Sequence, residues 1–261
     1  MVASDKDVLW VELVEACREG EVATVAEIAG SVDLNSEASS GVTPLLAAVE
    51  SCKADVVKFL LEAGADPNLT TRKGNTPLRA AVLLGDADSL LALVHNGADV
   101  NLETARGTPL TTACGQSDVD MVSLLLDKGA CLHMEARSGT TPLIAAARED
   151  AFAVVKLLLD RGADPNQTNK DGNTAIDVAQ AKAFPKTLSL LMQSAVVRQV
   201  ESALQSVDRR QREAAAARDK FQDHAMQDSK GALQVSRANN QAKIKELQEE
   251  NKRLRALYRS G

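Results

Sequence analysis

Aromatic side chains are nearly missing from this chain: one Trp, one Tyr and four Phe make up 2% of 261 residues. With so few rings, the interior must be built from the Leu, Val and Ala that carry most of the 44% apolar content. Such residues suit helices packed closely through small side chains and suit a layered β-sandwich poorly. Cysteine is also scarce. Cys17, Cys52, Cys114 and Cys131 form no CxxC pair. Four scattered thiols in a chain of this length are no disulfide framework, so a reduced compartment is expected, cytoplasmic with the nucleus left open. No apolar run approaches the roughly 18 residues of a membrane helix. The N-terminal MVASDKDVLW is broken by acids, so no signal peptide is expected.

Catalytic signatures are missing too. There is no Gly-rich phosphate loop opening a helix, no GxSxG and no HExxH. Three histidines occur, His95, His133 and His224. Cys131 and His133 supply two potential ligands without a third. Neither an enzyme, a metal site nor a cofactor is expected from these residues.

Charge is unevenly spread. Residues 195–261 hold 14 Lys/Arg against 9 Asp/Glu, which leaves 16 against 27 in residues 1–194. An acidic body with a mildly basic tail is a poor general binder of nucleic acid. A basic-zipper reading of SRANNQAK (236–243) fails for the same reason, since residues 229–242 contain just Lys230 and Arg237 as cations.

What the chain does have is a period. The Thr of each TP or TA unit falls at 43, 76, 108, 141 and 174, in steps of 33, 32, 33 and 33. The Gly of each GA unit falls at 64, 97, 129 and 162, in steps of 33, 32 and 33. Both markers lose one residue in the same interval, and the loss sits just before Thr108. The residue types explain themselves physically. Thr is a good helix N-cap, and Pro fits the first helical position because its φ is already helical. Leu78, Ala81 and Val82 then give a short apolar face at helical spacing, with small Ala80 and Ala81 admitting a close neighbour. Gly85 ends that helix, and SLLALVHNG supplies a second with Leu90, Leu91 and Val94 inward. Gly97 follows its end, where a left-handed residue is wanted. Asp99 and Asn101 are expected to fold onto their own backbone and start a turn. RKGN and KDGN suit the tips of hairpin-like loops. Gly97→Val should therefore strain a left-handed position. The recurrent Asp66, Asp99 and Asp164 read as turn caps, and Cys17 and Cys114 as small buried hydrophobes.

A period near 33 carrying TPL and GADxN resembles the ankyrin repeat. The resemblance covers roughly 8–194, within an N-terminal domain taken as 1–194, in about six units: 8–37, 38–70, 71–103, 104–135, 136–168 and 169–194. The end units are atypical, the first without TPL and the last with TAIDVA, as suits the caps of a stack. The resemblance implies an all-α solenoid of helix-turn-helix repeats with hairpin-like loops. It also implies a non-enzymatic protein-binding module whose concave face is lined by loop tips and first helices. The tip residues would be Arg72, Lys73, Asn75, Arg106, Arg137, Ser138, Lys170 and Asn173. The first-helix ends would add Leu83, Leu84, Gln116 and Arg148. Five cations at equivalent tips make a mildly basic ridge. Solvated tips are the plain reading, because like charges about 10 Å apart are largely screened at physiological salt. A docking ridge for an acidic segment of a protein partner, with Leu83 and Leu84 as apolar anchor, is the functional one. In one respect the chain departs from the family, which usually writes TPLH with the His bonding between repeats. Here Leu46, Arg79, Thr111, Ile144 and Asp177 stand at that place.

Beyond about 195 the period vanishes. AVVRQVESALQSV is expected to continue the last repeat's helix. REAAAARDKFQDHAMQ (212–227) is a strong helix former by composition, and SKG at 229–231 is expected to interrupt that helix. Within a coiled-coil segment at about 240–259, Ile244, Leu247, Asn251, Leu254 and Tyr258 fall at steps of 3, 4, 3 and 4. That is an a/d seam with one polar a position, which favours a defined register. The tail 195–261 is thus expected to join copies of the chain or a second protein. Two other readings stand beside the adaptor: a coiled-coil scaffold with the repeats as spacer, and a regulatory subunit of an enzyme on another chain.

Overall fold

The structure, a computed structural model, describes residues 5–38, 41–137 and 139–259. Every Thr of the period caps a helix. The hydroxyl oxygens of Thr43, Thr76, Thr108, Thr141 and Thr174 each accept the backbone N–H three residues on at 3.2 Å. Twelve helices result among the described residues, arranged in pairs. They are α1 (Asp5–Glu19) with α2 (Val22–Ala29), α3 (Pro44–Glu50) with α4 (Ala54–Glu62), and α5 (Pro77–Leu84) with α6 (Ala87–His95). Then come α7 (Pro109–Gln116) with α8 (Val119–Asp127), α9 (Pro142–Arg148) with α10 (Phe152–Asp160), and α11 (Ala175–Ala181) with α12 (Pro185–Arg259). No strand occurs among the described residues; extended pairing is limited to the isolated bridge Thr104–Gly107.

The chain divides into two compact units, Met1–Val197 and Arg198–Gly261. In the first, the leading helices stack in chain order: α1 on α3, then α5, α7, α9 and α11. The alanine five residues after each capping Thr explains how closely they approach. Ala48, Ala81, Ala113, Ala146 and Ala179 are all fully buried, and no larger residue would leave room for the neighbouring helix. The second helices contribute Val57 and Leu60, Leu90 and Leu93, Val122 and Leu125, and Val155 and Leu158, all fully buried. Each such side chain contributes roughly 1.5–3 kcal/mol by leaving water, so one apolar interior runs through the stack.

The turn inside each helix pair is left-handed whatever residue occupies it. Gly20, Cys52, Gly85, Ser117, Asp150 and Ala183 all have φ between +52° and +89°. Just two of these six positions are glycine, so packing of the helix pair imposes the conformation. Between repeats lie hairpin-like loops closed by backbone bonds from Ala38 to Val42, Thr71 to Asn75, Ala136 to Thr140 and Asn169 to Asn173. The fourth repeat closes earlier, Thr104 to Gly107 at 3.2 Å. This is where the residue missing from the period was lost.

Hydrogen bonds also tie repeat to repeat. The Asn35 side-chain oxygen accepts the Asp66 N–H at 2.8 Å, Asn68 that of Asp99 at 2.7 Å, and Asn101 that of Cys131 at 2.6 Å. Asn68 and Asn101 also donate to the carbonyls of Gly97 and Gly129, at 3.0 and 3.2 Å. The asparagines therefore reach into the next repeat, whereas the sequence reading had Asn101 folding onto its own turn. The aspartates do fold back: the side chains of Asp66, Asp99 and Asp164 accept the N–H two residues on at 2.8 to 3.0 Å. Inter-repeat bonding thus exists without the family's His. At the His positions, Thr111 and Asp177 close capping boxes with Thr108 and Thr174. Those bonds hold the Asp177 carboxyl below its ordinary pKa.

The sixth repeat has no separate second helix. Pro185 starts α12, Leu191 and Thr187 are fully buried, and the Thr187 hydroxyl donates to Asp150 Oδ1 at 2.6 Å. The expected break at SKG is absent, because the helix runs through 229–231. A glycine inside a helix costs only about 1 kcal/mol against alanine, and the strong helix formers around Gly231 offset it. In the second unit the Cβ of a residue at Gly231 would meet nothing within 4 Å. Val200, Leu204, Val207, Leu233, Ile244 and Leu247 are more than 45% exposed there. Among the described residues no helix is long and apolar enough to cross a membrane.

Candidate interaction surface

The tips follow from the loop geometry. Each loop turns at a left-handed glycine, Gly74, Gly107, Gly139 or Gly172 after the first, and Lys73, Arg106 and Asp171, just before three of them, are exposed. Arg72, Lys73, Arg106, Arg137 and Lys170 are all exposed. Their partners separate them into two groups. The Glu37 carboxylate accepts the Arg72 N–H at 3.0 and 3.2 Å and lies 3.7 Å from its Nε. Lys170 Nζ donates to the Arg137 carbonyl at 2.6 Å. These two cations tie neighbouring tips together. Lys73, Arg106 and Arg137 form no ion pair among the described residues.

The uncharged candidates divide similarly. Asn75 is half-buried and its Oδ1 accepts from Arg79 Nη1 at 3.4 Å. Asn173 is exposed, its backbone N–H held by Asn169 Oδ1 at 2.9 Å. Ser138 lies outside the described residues. Gln116 Nε2 donates to the Leu83 carbonyl at 2.9 Å, closing the end of α5. Lys182 makes the equivalent bond to the carbonyl of Arg148 at 2.8 Å. Arg148 itself is exposed at the end of α9. Leu83 and Leu84 are 40% and 48% exposed. They sit at the far end of α5 from the loop tip, about 12 Å away by helical rise. The apolar pair and the basic tips therefore bracket the stacked helices from opposite ends.

The sequence reading missed one side chain as a candidate. Arg79 is 9% exposed, and its Nε is buried without a hydrogen-bond partner among the described residues. Its position at a family His was the available signal, but nothing in the local pattern told that a guanidinium would be buried there.

Other chemistry is sparse. Burial pushes the Cys17 thiol up to about 12 and raises Cys114 as well, which keeps both protonated. Cys52 and Cys131 are exposed. Among the described residues no three His, Cys, Asp or Glu side chains gather as metal ligands. In the second unit, Ile244 and Leu247 of the heptad seam are exposed, while the side chains of Asn251, Leu254 and Tyr258 lie outside the described residues.

Comparison with known proteins agrees with this architecture. A family model described as ankyrin repeats (3 copies) matches residues 13–104 and 103–169. The crystal structure of an ankyrin repeat domain from Acinetobacter baumannii superposes with a TM-score of 0.64 at 25% identity, covering 70% of this chain and 96% of that one. A search of curated proteins finds no match. Capped helix pairs stacked at a 33-residue period, and a family model spanning more than half of the sequence, lead to one conclusion: the chain belongs to the ankyrin repeat family.

Proposed function

We propose that this protein is a non-enzymatic adaptor that presents its loop tips to an acidic segment of a protein partner. Ankyrin repeats are generally protein–protein interaction modules, which gives the class. The observation that carries the finer reading is the set of exposed cations without ion partners among the described residues, Lys73, Arg106 and Arg137, on a body whose net charge is negative. Positive tips on an acidic body repel most of an acidic partner and attract it at one edge, which fixes register and speeds encounter. Leu83 and Leu84 supply apolar contact at the other end of the same helices.

The test is capture of partners by the full chain and by a variant with Arg72, Lys73, Arg106 and Arg137 changed to Glu. All four are exposed, and reversing Arg72 sets a carboxylate against Glu37, so the melting curve should fall by a few degrees at most. Retention of the partner should fall by on the order of tenfold or more, and its dependence on salt should flatten. Capture that is unchanged in the reversed variant, with the fold intact, would sink the ridge.

The tail is assigned to self-association through the Ile244, Leu247, Asn251, Leu254 and Tyr258 seam. Exposed Ile244 and Leu247 at heptad spacing support that assignment, since apolar a/d residues on a lone helix lack a partner. Sedimentation of the full chain against a 1–194 truncation tests it. The full chain should run larger than one copy and the truncation as a monomer. Equal behaviour of the two would remove the tail from the assembly and leave the repeats as the working part.

A further inference from the structure

Arg79 stands three residues after Thr76, in the first turn of α5, with its side chain buried. One N–H, from Nη1, reaches Asn75 Oδ1 at a long 3.4 Å, and Nε is buried without a partner among the described residues. No carboxylate pairs with Arg79 among the described residues. Its charged neighbour is another cation. Arg106 lies two residues before Thr108, the cap of α7, and α7 packs against α5. The Arg106 side chain is exposed, and its backbone N–H is held by Thr104 Oγ1 at 3.2 Å. Burial first, and the Arg106 charge second, pull the Arg79 guanidinium below its ordinary pKa. A guanidinium nevertheless keeps its proton in proteins, so two like charges lie near one another, one of them on a side chain that is mostly buried. A mostly buried cation near a second cation, with no carboxylate on either among the described residues, is a costly arrangement that an anion would relieve.

We propose that Arg79 and Arg106 together clamp one carboxylate of the partner's acidic segment, Arg79 from the floor and Arg106 from the rim. This rests on the reading of the tips as a docking ridge and names the point within it that selects an acidic side chain. The planar fork of a guanidinium matches two carboxylate oxygens, which a lysine could not do. A flat carboxylate also suits the small opening left by a side chain that is 9% exposed. The loop bearing Arg106 lacks the residue that Asn75 supplies one repeat earlier, so no side chain equivalent to Asn75 is present there.

The experiment uses the full chain and a short labelled peptide alternating glutamate and serine, read by fluorescence anisotropy. Arg79→Met removes the buried charge. It should melt a few degrees higher than the parent and bind the peptide on the order of tenfold more weakly. Arg79→Lys keeps the charge without the fork and should lose a comparable share of affinity. Arg106→Gln should also weaken binding, and adding it to Arg79→Met should cost little more, because both arginines serve one carboxylate. If Arg79→Met binds like the parent while glutamate at Arg72, Lys73 and Arg137 abolishes binding, the clamp is wrong and the ridge stands. No binding of the peptide to the parent overturns both. Tighter binding of a phosphoserine peptide than of the glutamate one overturns the choice of carboxylate, and a lower melting point in Arg79→Met overturns the unrelieved charge.

Discussion

Alanine at Gly139 is expected to cost roughly 3 kcal/mol, lowering the melting temperature by about 10 °C. Two effects combine there. Gly139 has φ +78°, a conformation that side-chain-bearing residues adopt at a cost. A Cβ would also stand 2.6 Å from the backbone nitrogen of Lys170 and 2.7 and 2.8 Å from its Cγ and Cβ. A backbone nitrogen in the next repeat's tip cannot swing aside as a side-chain end can. Lys170 is further pinned by its bond to the Arg137 carbonyl, so the two tips would have to part. Gly97 provides the control. It has φ +88°, but nothing lies within 4 Å of a Cβ there, so Gly97→Ala should cost roughly 1–2 kcal/mol from the backbone alone. Thermal melts that show the same loss at both positions would mean the loop tips are not in close approach. Gly97→Val should exceed Gly97→Ala, since a β-branched side chain is still less tolerant of positive φ.

Removing the asparagine ladder is the second large expected effect. Asn68 makes three bonds that join two turns: it accepts from Asp99, donates to the Gly97 carbonyl, and has its own N–H held by Asp66. Asn101 repeats the arrangement one unit on. Each net hydrogen bond contributes about 1 kcal/mol. Asn68→Ala should thus cost roughly 2 kcal/mol, and the double variant with Asn101→Ala roughly 3–4 kcal/mol if the rungs act independently. In a stack whose stability is a sum of repeat and interface terms, losing interface terms also weakens cooperation between neighbours. Urea denaturation should therefore show a lower midpoint and a broader transition in the double variant. A change confined to the midpoint would place the loss within single repeats and not between them. The ladder stops at His133, which occupies the next asparagine place. There Gln167 Nε2 donates to the His133 carbonyl at 3.0 Å instead.

The period, the helix starts and the left-handed turns after the second helices were legible because each depends on a few adjacent residues. A threonine hydroxyl reaches an N–H three residues away wherever the rest of the chain goes, so five caps could be assigned in advance. The deletion before Thr108 was legible for the same reason and reappears as the shorter Thr104–Gly107 loop. The SKG break failed as an expectation because one glycine is a weak signal against a long run of helix formers. The candidate site was half legible. Exposure of Arg72, Lys73, Arg106, Arg137 and Lys170 follows from their places in tight loops.

What each tip residue touches was beyond the sequence. Arg72 meets Glu37 from 35 residues away, and Lys170 meets the carbonyl of Arg137 from 33 away. Asn68 and Asn101 bond across about one period, at separations of 31 and 30 to the N–H groups they accept. Such pairs exist only once the repeats stack in one register, and no local rule says which side chain faces which neighbour. Arg79 shows this most sharply. By itself the sequence determined that an arginine replaces the family's histidine in the first turn of α5. Stacking of α7 beside α5 decided that this arginine is buried, unpaired by any described acid and set near Arg106, because burial and charge pairing are properties of the neighbours and not of the residue.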